Sequence, residues 1–347
     1  MTYMGSSVVF ILQRCLTPLL FCPNIASMSL MLGAFHGTGA GIVLVSLMVV
    51  LGEHFDKYLA VASGLRDAGT TLCACVFPSL LSVLNYEYHL RGTLLVYSAL
   101  SMHVTVVALF LWTRLRDREK DTHLRAGVDN DLASFGRKFA ILKASRFYVV
   151  VLGATVEIYC YNMFLETIQA YAIDKGAPRR GAEMAITYAT VAEIVEYVGV
   201  PLIADMKVVS RPTLMTACFV MLTPCYALMP HSTWLVTYVV VSTLLLTFIA
   251  AASSMRCSLM TEFFGAAQVP LCMAAVGLLL VPVQLSSPMI IAFFRGSMGS
   301  YDNMYRLMAV LHFGIAVLFA CLAVHERRRS RLSLSIVSKI RAQVTNL

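Results

Sequence analysis

Charged residues are scarce in this sequence. Only 13% of its 347 residues are Asp, Glu, Lys or Arg, whereas 59% are hydrophobic. A soluble domain usually has about 25% charged residues, and so few charges cannot cover the surface of a soluble globular protein. The composition, with a mean hydropathy of +0.75, excludes an ordinary soluble enzyme and indicates that a lipid bilayer surrounds much of the chain.

Motifs for metals, nucleotides and secretion are also lacking. The ten cysteines contain no C-x-x-C pair and no zinc spacing, and Cys73 and Cys75 lie in an apolar run, which favours packing. The glycine-rich residues 37–41 also lie in an apolar run, where small residues let helices approach closely. The first residues have no basic region and no A-x-A site, so they do not resemble a cleaved signal peptide. We predict no cofactor, no metal and no enzymatic chemistry.

Long apolar runs are what the sequence has instead. A helix needs about 20 apolar residues to cross the hydrocarbon core, and in lipid its backbone must be hydrogen-bonded within the segment. The runs therefore predict an all-α polytopic membrane protein with ten transmembrane helices, four before and six after a polar linker at residues 115–146. The predicted spans are 6–22, 25–51, 58–84, 92–114, 147–173, 184–204, 212–230, 234–255, 267–293 and 306–324.

The positive charges predict the orientation in the membrane. Of the 27 Lys and Arg residues, 19 lie on the side of the linker and the carboxyl-terminal tail and six on the other. Cytoplasmic loops carry the excess of Lys and Arg, so the linker and both termini should be cytoplasmic. The net charge of +8 is thus a topology signal, and no continuous basic face predicts a nucleic-acid partner.

The basic tail after Glu326 has two interpretations. Apolar residues recur at helical spacing from Leu332 to Val344, behind a run of arginines. An amphipathic helix on the anionic inner leaflet and a disordered basic tail fit this pattern about equally well.

Seven ionisable residues lie inside the predicted spans. Each costs at least about 2.5–3.5 kcal/mol unless it faces protein or water, so each is a functional candidate. For Arg14 and Glu166 we favour a structural role, and for Glu157 the two roles are evenly balanced. The seven are Arg14, Arg66, Asp67, Glu157, Glu166, Glu193 and Glu196.

Two groups among them are the richest. Glu193, Glu196 and Tyr197 share one helical face, and an acid there could carry a proton because desolvation penalises its charged form. A hydrogen-bonded group without proton traffic is the alternative. Arg66 and Asp67 either neutralise each other or leave the arginine as a receptor for a carboxylate.

Residues 53–70 resemble the segment that joins the fourth and fifth helices of the monocarboxylate transporter family of the major facilitator superfamily. Residues 21–25, 88–92, 201–205 and 253–265 match other parts of that family in the same order. The resemblance implies the superfamily's two six-helix bundles, with the ten spans as the third to twelfth helices. It implies four parts: an incomplete amino-terminal bundle (1–114), a cytoplasmic central loop (115–146), a six-helix bundle (147–326) and a basic cytoplasmic tail (327–347).

The sequence departs from the family at several positions. The opening Asp-Gly-Gly-Trp-Gly signature and the first-helix lysine are missing, whereas Lys57 of the cytoplasmic gate loop is retained. In the eighth helix, Glu193 keeps the acid and Tyr197 stands where the family has an arginine. We hypothesise that Arg66 pairs with Glu193 and replaces this cation, with Arg256 as a second candidate.

The resemblance implies a carrier of small monocarboxylates or related organic anions, proton-coupled and working by alternating access. Its partners would be the substrate, protons, the lipid bilayer of the plasma membrane and, as in some members of the family, a single-span escort protein. The expected roles are proton coupling for Glu193 and Glu157, substrate binding for Arg66, Tyr197, Asp67, Glu196 and Arg256, and gating for Lys57.

Two alternatives stay open. A non-transporting member of the family could use the same fold for partner binding or regulation, which the missing helices and cations favour. The sequence could also be a fragment of a complete transporter that has two further helices upstream of Met1.

Overall fold

The computed structural model describes residues 24–55, 58–123, 140–206 and 210–345. Within these residues the secondary structure is helical and contains no β-strand, which confirms the all-α prediction. Nine α-helices follow one another in this part of the chain. They are α1 (Ile25–Leu30), α2 (Gly37–His54), α3 (Leu59–His123), α4 (Ser145–Asp174), α5 (Arg179–Asp205), α6 (Arg211–Leu228), α7 (Leu235–Phe264), α8 (Val269–Ser297) and α9 (Asp302–Thr345).

The carboxyl-terminal half agrees with the predicted spans. Six described helices are long and apolar enough to cross a membrane, and each coincides with one of the six spans predicted after residue 146. They are Ser145–Asp174, Arg179–Leu202, Arg211–His231, Leu235–Phe264, Ala266–Ser297 and Asp302–Glu326.

The amino-terminal half does not confirm the count of ten. Gly37–Gly52 is a shorter apolar helix, and Leu59–Phe77 with Ser79–His103 meets the length and hydropathy criteria only as a pair. The first predicted span, residues 6–22, lies outside the described residues. The structure therefore supports six spans, or up to seven with the pair, in the part of the chain that it describes.

Helix α3 is interrupted where the sequence predicts a connection between two spans. His89 has a φ of 55°, which is outside helical geometry, and the hydroxyl of Thr93 donates to the His89 carbonyl at 2.9 Å. The connection predicted at residues 85–91 is thus helical in the structure except for this one residue.

The chain forms two compact units. One comprises Met1–Glu53 and Cys73–Ala140, and the other comprises His54–Leu72 and Ile141–Leu347. In the first unit, His36 and Tyr97 share a hydrogen bond of 3.1 Å between Nε2 and the hydroxyl, and their rings meet edge to face.

The second unit has a core of buried aromatic side chains. The rings of Tyr171 and Tyr305 stack at 4.6 Å between centroids, and those of Tyr226 and His312 lie 4.7 Å apart. The Tyr238 hydroxyl donates to the carbonyl of Ile168 at 2.6 Å, which satisfies a polar group in this apolar interior.

Ionic contacts join the helix ends of the second unit. Where α4 ends, Lys175 lies 3.0 Å from Asp302 at the start of α9. Where α6 begins, Arg211 contacts Asp205 of α5 at 3.3 Å and Glu262 of α7 at 3.2 Å. These contacts tie neighbouring helices together at both ends of the unit. Beyond Glu326, α9 continues as helix to Thr345, which agrees with the helical interpretation of the tail.

The first turns of α3 lie directly against α5. A Cβ at Gly64 would overlap the carbonyl oxygen of Tyr197 and come within 3.0 Å of Pro201 Cγ. One turn earlier, the Val61 amide donates to Asp205 Oδ2 at 3.0 Å, which caps the amino-terminal end of α3. The absent side chain at position 64 therefore allows the contact that fixes α3, and with it Arg66 and Asp67, beside α5.

Replacing Gly64 with alanine tests this contact. We expect Gly64→Ala to lower the free energy of unfolding by about 1–3 kcal/mol, because the new methyl group has no space against the backbone of α5. Thermal unfolding of the detergent-purified protein measures the effect. The matched control is Gly69→Ala on the same helix, where nothing lies within 4 Å, and it should not be destabilising. Equal effects of the two substitutions would contradict the close contact.

Candidate functional site

Buried polar side chains from four helices of the second unit form the candidate site. Arg66 and Asp67 come from α3, Glu157 from α4, and Glu193 from α5. Arg256 comes from α7, three residues after Ser253, so both side chains lie on one face of that helix. The site thus uses residues that are far apart in the sequence, and the helix packing brings them together.

Glu157 and Arg256 form a buried ion pair. Arg256 Nη2 donates to both carboxylate oxygens of Glu157, at 2.6 and 2.8 Å, and its Nε donates to Oε2 at 3.2 Å. The two side chains are only 2% and 9% exposed. A bidentate, charge-assisted contact of this kind is among the strongest polar interactions. Neither side chain can therefore bind another partner unless this ion pair breaks.

Arg66 pairs with its sequence neighbour Asp67. Its Nε and Nη2 donate to Asp67 Oδ1 at 2.8 and 2.6 Å, and the side chains are 10% and 14% exposed. The remaining nitrogen, Arg66 Nη1, is buried and has no hydrogen-bond partner within the described residues. A buried, unsatisfied donor costs about 1–3 kcal/mol, or more for a charged group, so an acceptor atom placed at this nitrogen would be stabilising.

The hypothesised pair between Arg66 and Glu193 is wrong. Glu193 Oε1 accepts from the hydroxyls of Tyr161 and Tyr197, both at 3.1 Å, and no described Lys or Arg lies within ion-pair distance of it. Arg66 pairs with Asp67 and not with Glu193 because Asp67 is its neighbour in the chain, so their contact does not depend on the packing of two helices. The predicted shared face of Glu193 and Tyr197 is confirmed by their hydrogen bond.

Ser253 joins the two ion pairs into one network. Its Oγ accepts from Arg256 Nη2 at 3.2 Å and donates to Asp67 Oδ2 at 3.4 Å. Asp67 also interacts electrostatically with Glu157 and Glu193. The network therefore runs from Glu157 through Arg256, Ser253 and Asp67 to Arg66, with Glu193 next to it.

Not every residue expected at the site takes part in this network. Glu196 is half-buried on α5 and makes no hydrogen bond to the other predicted site residues, which are Arg66, Asp67, Glu157, Glu193, Tyr197 and Arg256. Lys57 and Arg14 lie outside the described residues. Glu166 accepts from the Ser287 hydroxyl at 2.9 Å, which agrees with the structural role favoured for it.

Sequence reasoning missed several polar residues of α4, α7 and α8. Tyr161 lies four residues after Glu157 and therefore on the same face of α4, a signal that could have identified it. Ser253 was recognised only as part of a resembling segment. Asn162 and Gln284, which share a hydrogen bond of 3.2 Å, are 122 residues apart and had no local signal.

The network can hold an anion and exchange a proton. Arg66 offers a buried donor with the fork geometry that suits carboxylates, and Glu193 offers an acid whose only described hydrogen-bond partners are hydroxyls. Among the described residues, no cluster of His, Cys, Asp and Glu has the arrangement of a metal site. The buried donor of Arg66 and the acid of Glu193 support anion binding and proton transfer.

Breaking the buried pair should be far more costly than breaking an exposed one. We expect Glu157→Gln to lower the free energy of unfolding by about 3–5 kcal/mol, because Arg256 is left buried without a counter-charge. The matched control is Glu262→Gln, which removes a carboxylate that is 44% exposed and should cost less than about 1 kcal/mol. Thermal unfolding in detergent measures both.

A double replacement separates charge from packing. Glu157→Leu combined with Arg256→Met should recover most of the lost stability, because no uncompensated charge remains. If the double variant is as unstable as Glu157→Gln, the cost does not come from the orphaned arginine.

Comparisons with known proteins agree with this architecture. The family model of the Major Facilitator Superfamily matches residues 1–261. Monocarboxylate transporter 4 of Gallus gallus is 24% identical over 156 residues, which are 45% of this chain and 33% of that protein. Human monocarboxylate transporter 10 is 24% identical over 329 residues, covering 90% of this chain and 62% of that protein. Mouse monocarboxylate transporter 14 is 30% identical over 86 residues, which are 25% of this chain and 17% of that protein.

A solved structure has a similar fold. The proton:xylose symporter XylE, bound to 6-bromo-6-deoxy-D-glucose, aligns with a TM-score of 0.59 at 13% identity, covering 91% of this chain and 78% of that one. Identity this low supports the fold alone. The chain spans between 17% and 62% of the length of the curated relatives it matches.

Proposed function

Because this chain belongs to the major facilitator superfamily, with relatives among the monocarboxylate transporters, we propose that it is a proton-coupled carrier of small monocarboxylates or related organic anions. It would work by alternating access in a multi-pass arrangement. The observation that carries the proposal is the buried Nη1 donor of Arg66, which has no partner among the described residues. Proton coupling is supported by Glu193, an acid that has no basic partner among those residues.

Arg66 is the proposed anion site. Its guanidinium presents two parallel donors to a carboxylate, and Asp67 occupies only its Nε and Nη2 atoms. A substrate carboxylate would bind at Nη1 first and then compete with Asp67 for Nη2. Arg256 is a less suitable receptor because Glu157 already binds it through both carboxylate oxygens.

Glu193 is the proposed proton site. When the carboxyl is ionised, the hydroxyls of Tyr161 and Tyr197 stabilise it, and when it is protonated no salt bridge is lost. Glu157 differs in this respect, because protonating it would leave Arg256 without its counter-charge. We therefore propose that Glu193 carries the transported proton. Glu157 would hold Arg256 in place and balance its charge.

The remaining assignments follow from the sequence. Tyr197 would form a hydrogen-bonding wall and Glu196 would border the cavity, while Lys57 would belong to a cytoplasmic gate. The positive charges support cytoplasmic termini. Residence in the plasma membrane and a single-span escort protein belong to the proposal because the resemblance to the monocarboxylate transporter family implies them.

A second candidate is a membrane protein that binds partners and does not transport. It is favoured by the observation that both arginines of the network are already bound by carboxylates of the same chain. In this case the network would stabilise the helix bundle, and no substrate would displace Asp67.

Uptake by proteoliposomes tests the proposal. We expect the purified chain to accumulate at least one member of a panel of labelled carboxylates when the outside is more acidic, because inward protons drive symport. Glu193→Gln should lose the acceleration by the pH gradient, and the exposed Glu87→Gln should retain it. Uptake by Glu193→Gln that still follows the pH gradient would remove Glu193 from coupling. No uptake of any member by the wild type would favour the second candidate.

Arg66→Lys tests the anion site. We expect the KM for the transported carboxylate to rise by at least about tenfold, because lysine keeps the charge but loses the two parallel donors. The matched control is Arg91→Lys, an exposed arginine outside the network. Initial uptake rates at varied substrate concentration give both KM values, and an unchanged KM in Arg66→Lys would contradict the assignment.

A further inference from the structure

Ser253 is the residue at which the two ion pairs meet. We infer that Ser253 is a positioning residue that retains Asp67 when a substrate carboxylate takes its place on Arg66. This inference rests on the proposed function, since it explains how an anion could bind to an arginine that already has a partner.

Displacing Asp67 poses an energetic problem. Its side chain is only 14% exposed, and Arg66 provides its ion pair. A buried carboxylate that loses its counter-charge is strongly destabilised. A substrate would bind Arg66 weakly unless another group took over the carboxylate of Asp67.

The two oxygens of Asp67 are divided between two partners. Arg66 donates only to Oδ1, through Nε and Nη2, whereas the Ser253 hydroxyl donates to Oδ2 at 3.4 Å. The contact with Ser253 can therefore persist, and shorten, when Oδ1 is vacated. Asp67 does not have to move into an apolar environment to release the arginine.

Arg256 makes Ser253 a better donor. Its Nη2 donates to Ser253 Oγ at 3.2 Å, and this bond polarises the hydroxyl toward Asp67. Arg256 also interacts electrostatically with Asp67. The carboxylate of the released Asp67 is thus stabilised by a second arginine, Arg256, through the hydroxyl of Ser253.

The neighbouring serine provides a matched control. Ser254 is fully buried, and its hydroxyl donates to the Ala251 carbonyl of its own helix at 3.0 Å. Replacing Ser254 with alanine removes one hydroxyl from the same turn of α7. Among the described residues, Ser254 makes no hydrogen bond to Asp67 or Arg256. A general effect of altering this turn would appear in both variants.

The test measures uptake of labelled pyruvate and benzoate by the full chain in proteoliposomes. We expect Ser253→Ala to raise KM by about tenfold, the effect of losing one hydrogen bond to a charged group, with the maximal rate changed by less than about twofold. Ser253→Thr, which keeps the hydroxyl, should restore KM to within about threefold of wild type, and Ser254→Ala should stay within the same range. Ser253→Cys serves as the isosteric variant if alanine prevents folding, and it should raise KM in the same direction.

A double replacement makes the test specific. Asp67→Asn removes the competing charge, so its KM should fall below that of the wild type. In that background, Ser253→Ala should change KM by less than about twofold, because no charge remains to be retained.

The outcomes separate this inference from the proposed function. If the wild type takes up neither pyruvate, benzoate nor any other panel member, the proposed function fails and this inference with it. If the wild type transports but Ser253→Ala behaves like Ser254→Ala, the inference alone fails. It also fails if Asp67→Asn abolishes uptake, or if Ser253→Ala has its full effect in that variant.

Discussion

The pairing of buried charges is the constraint on which the second unit depends. An ionised side chain inside a helix bundle is tolerated only beside a counter-charge or several hydrogen-bond donors. Glu157 meets this requirement through Arg256, and Asp67 meets it through Arg66 and Ser253. Because these groups come from α3, α4 and α7, satisfying each charge also determines which helices must be neighbours.

The same constraint distinguishes the acids from one another. Glu157 is bound by an arginine, Asp67 by an arginine and a serine, and Glu193 by two tyrosine hydroxyls. Of these three acids, only Glu193 can take up a proton without leaving a described cation unpaired. A division of roles among these carboxyl groups therefore follows from their partners, and the difference could not be obtained from their depth in the predicted spans.

Properties that depend on residues close together in the sequence could be predicted, whereas contacts between residues far apart in the sequence could not. The six later spans were predicted because length and apolarity are local properties. The shared face of Glu193 and Tyr197 was predicted because residues four apart lie on one side of a helix. The ion pair of Glu157 and Arg256 was not predicted, because 99 residues separate the two side chains in the sequence. The pair of Arg66 and Glu193 was wrong because a tertiary partner was preferred over the adjacent Asp67. The separation of two spans by the polar residues 85–91 was not confirmed, because the structure is helical there except at His89.

The bare backbone at Gly64 has a mechanical consequence. With no side chain at position 64, the carbonyl of Tyr197 lies close against the main chain of α3, so the two backbones meet without side chains between them at this point. Arg66 follows Gly64 by two positions, and Glu193 precedes Tyr197 by one helical turn. A rearrangement that moves α3 against α5 must therefore open this contact first, and it would change the spacing between the guanidinium and the carboxyl.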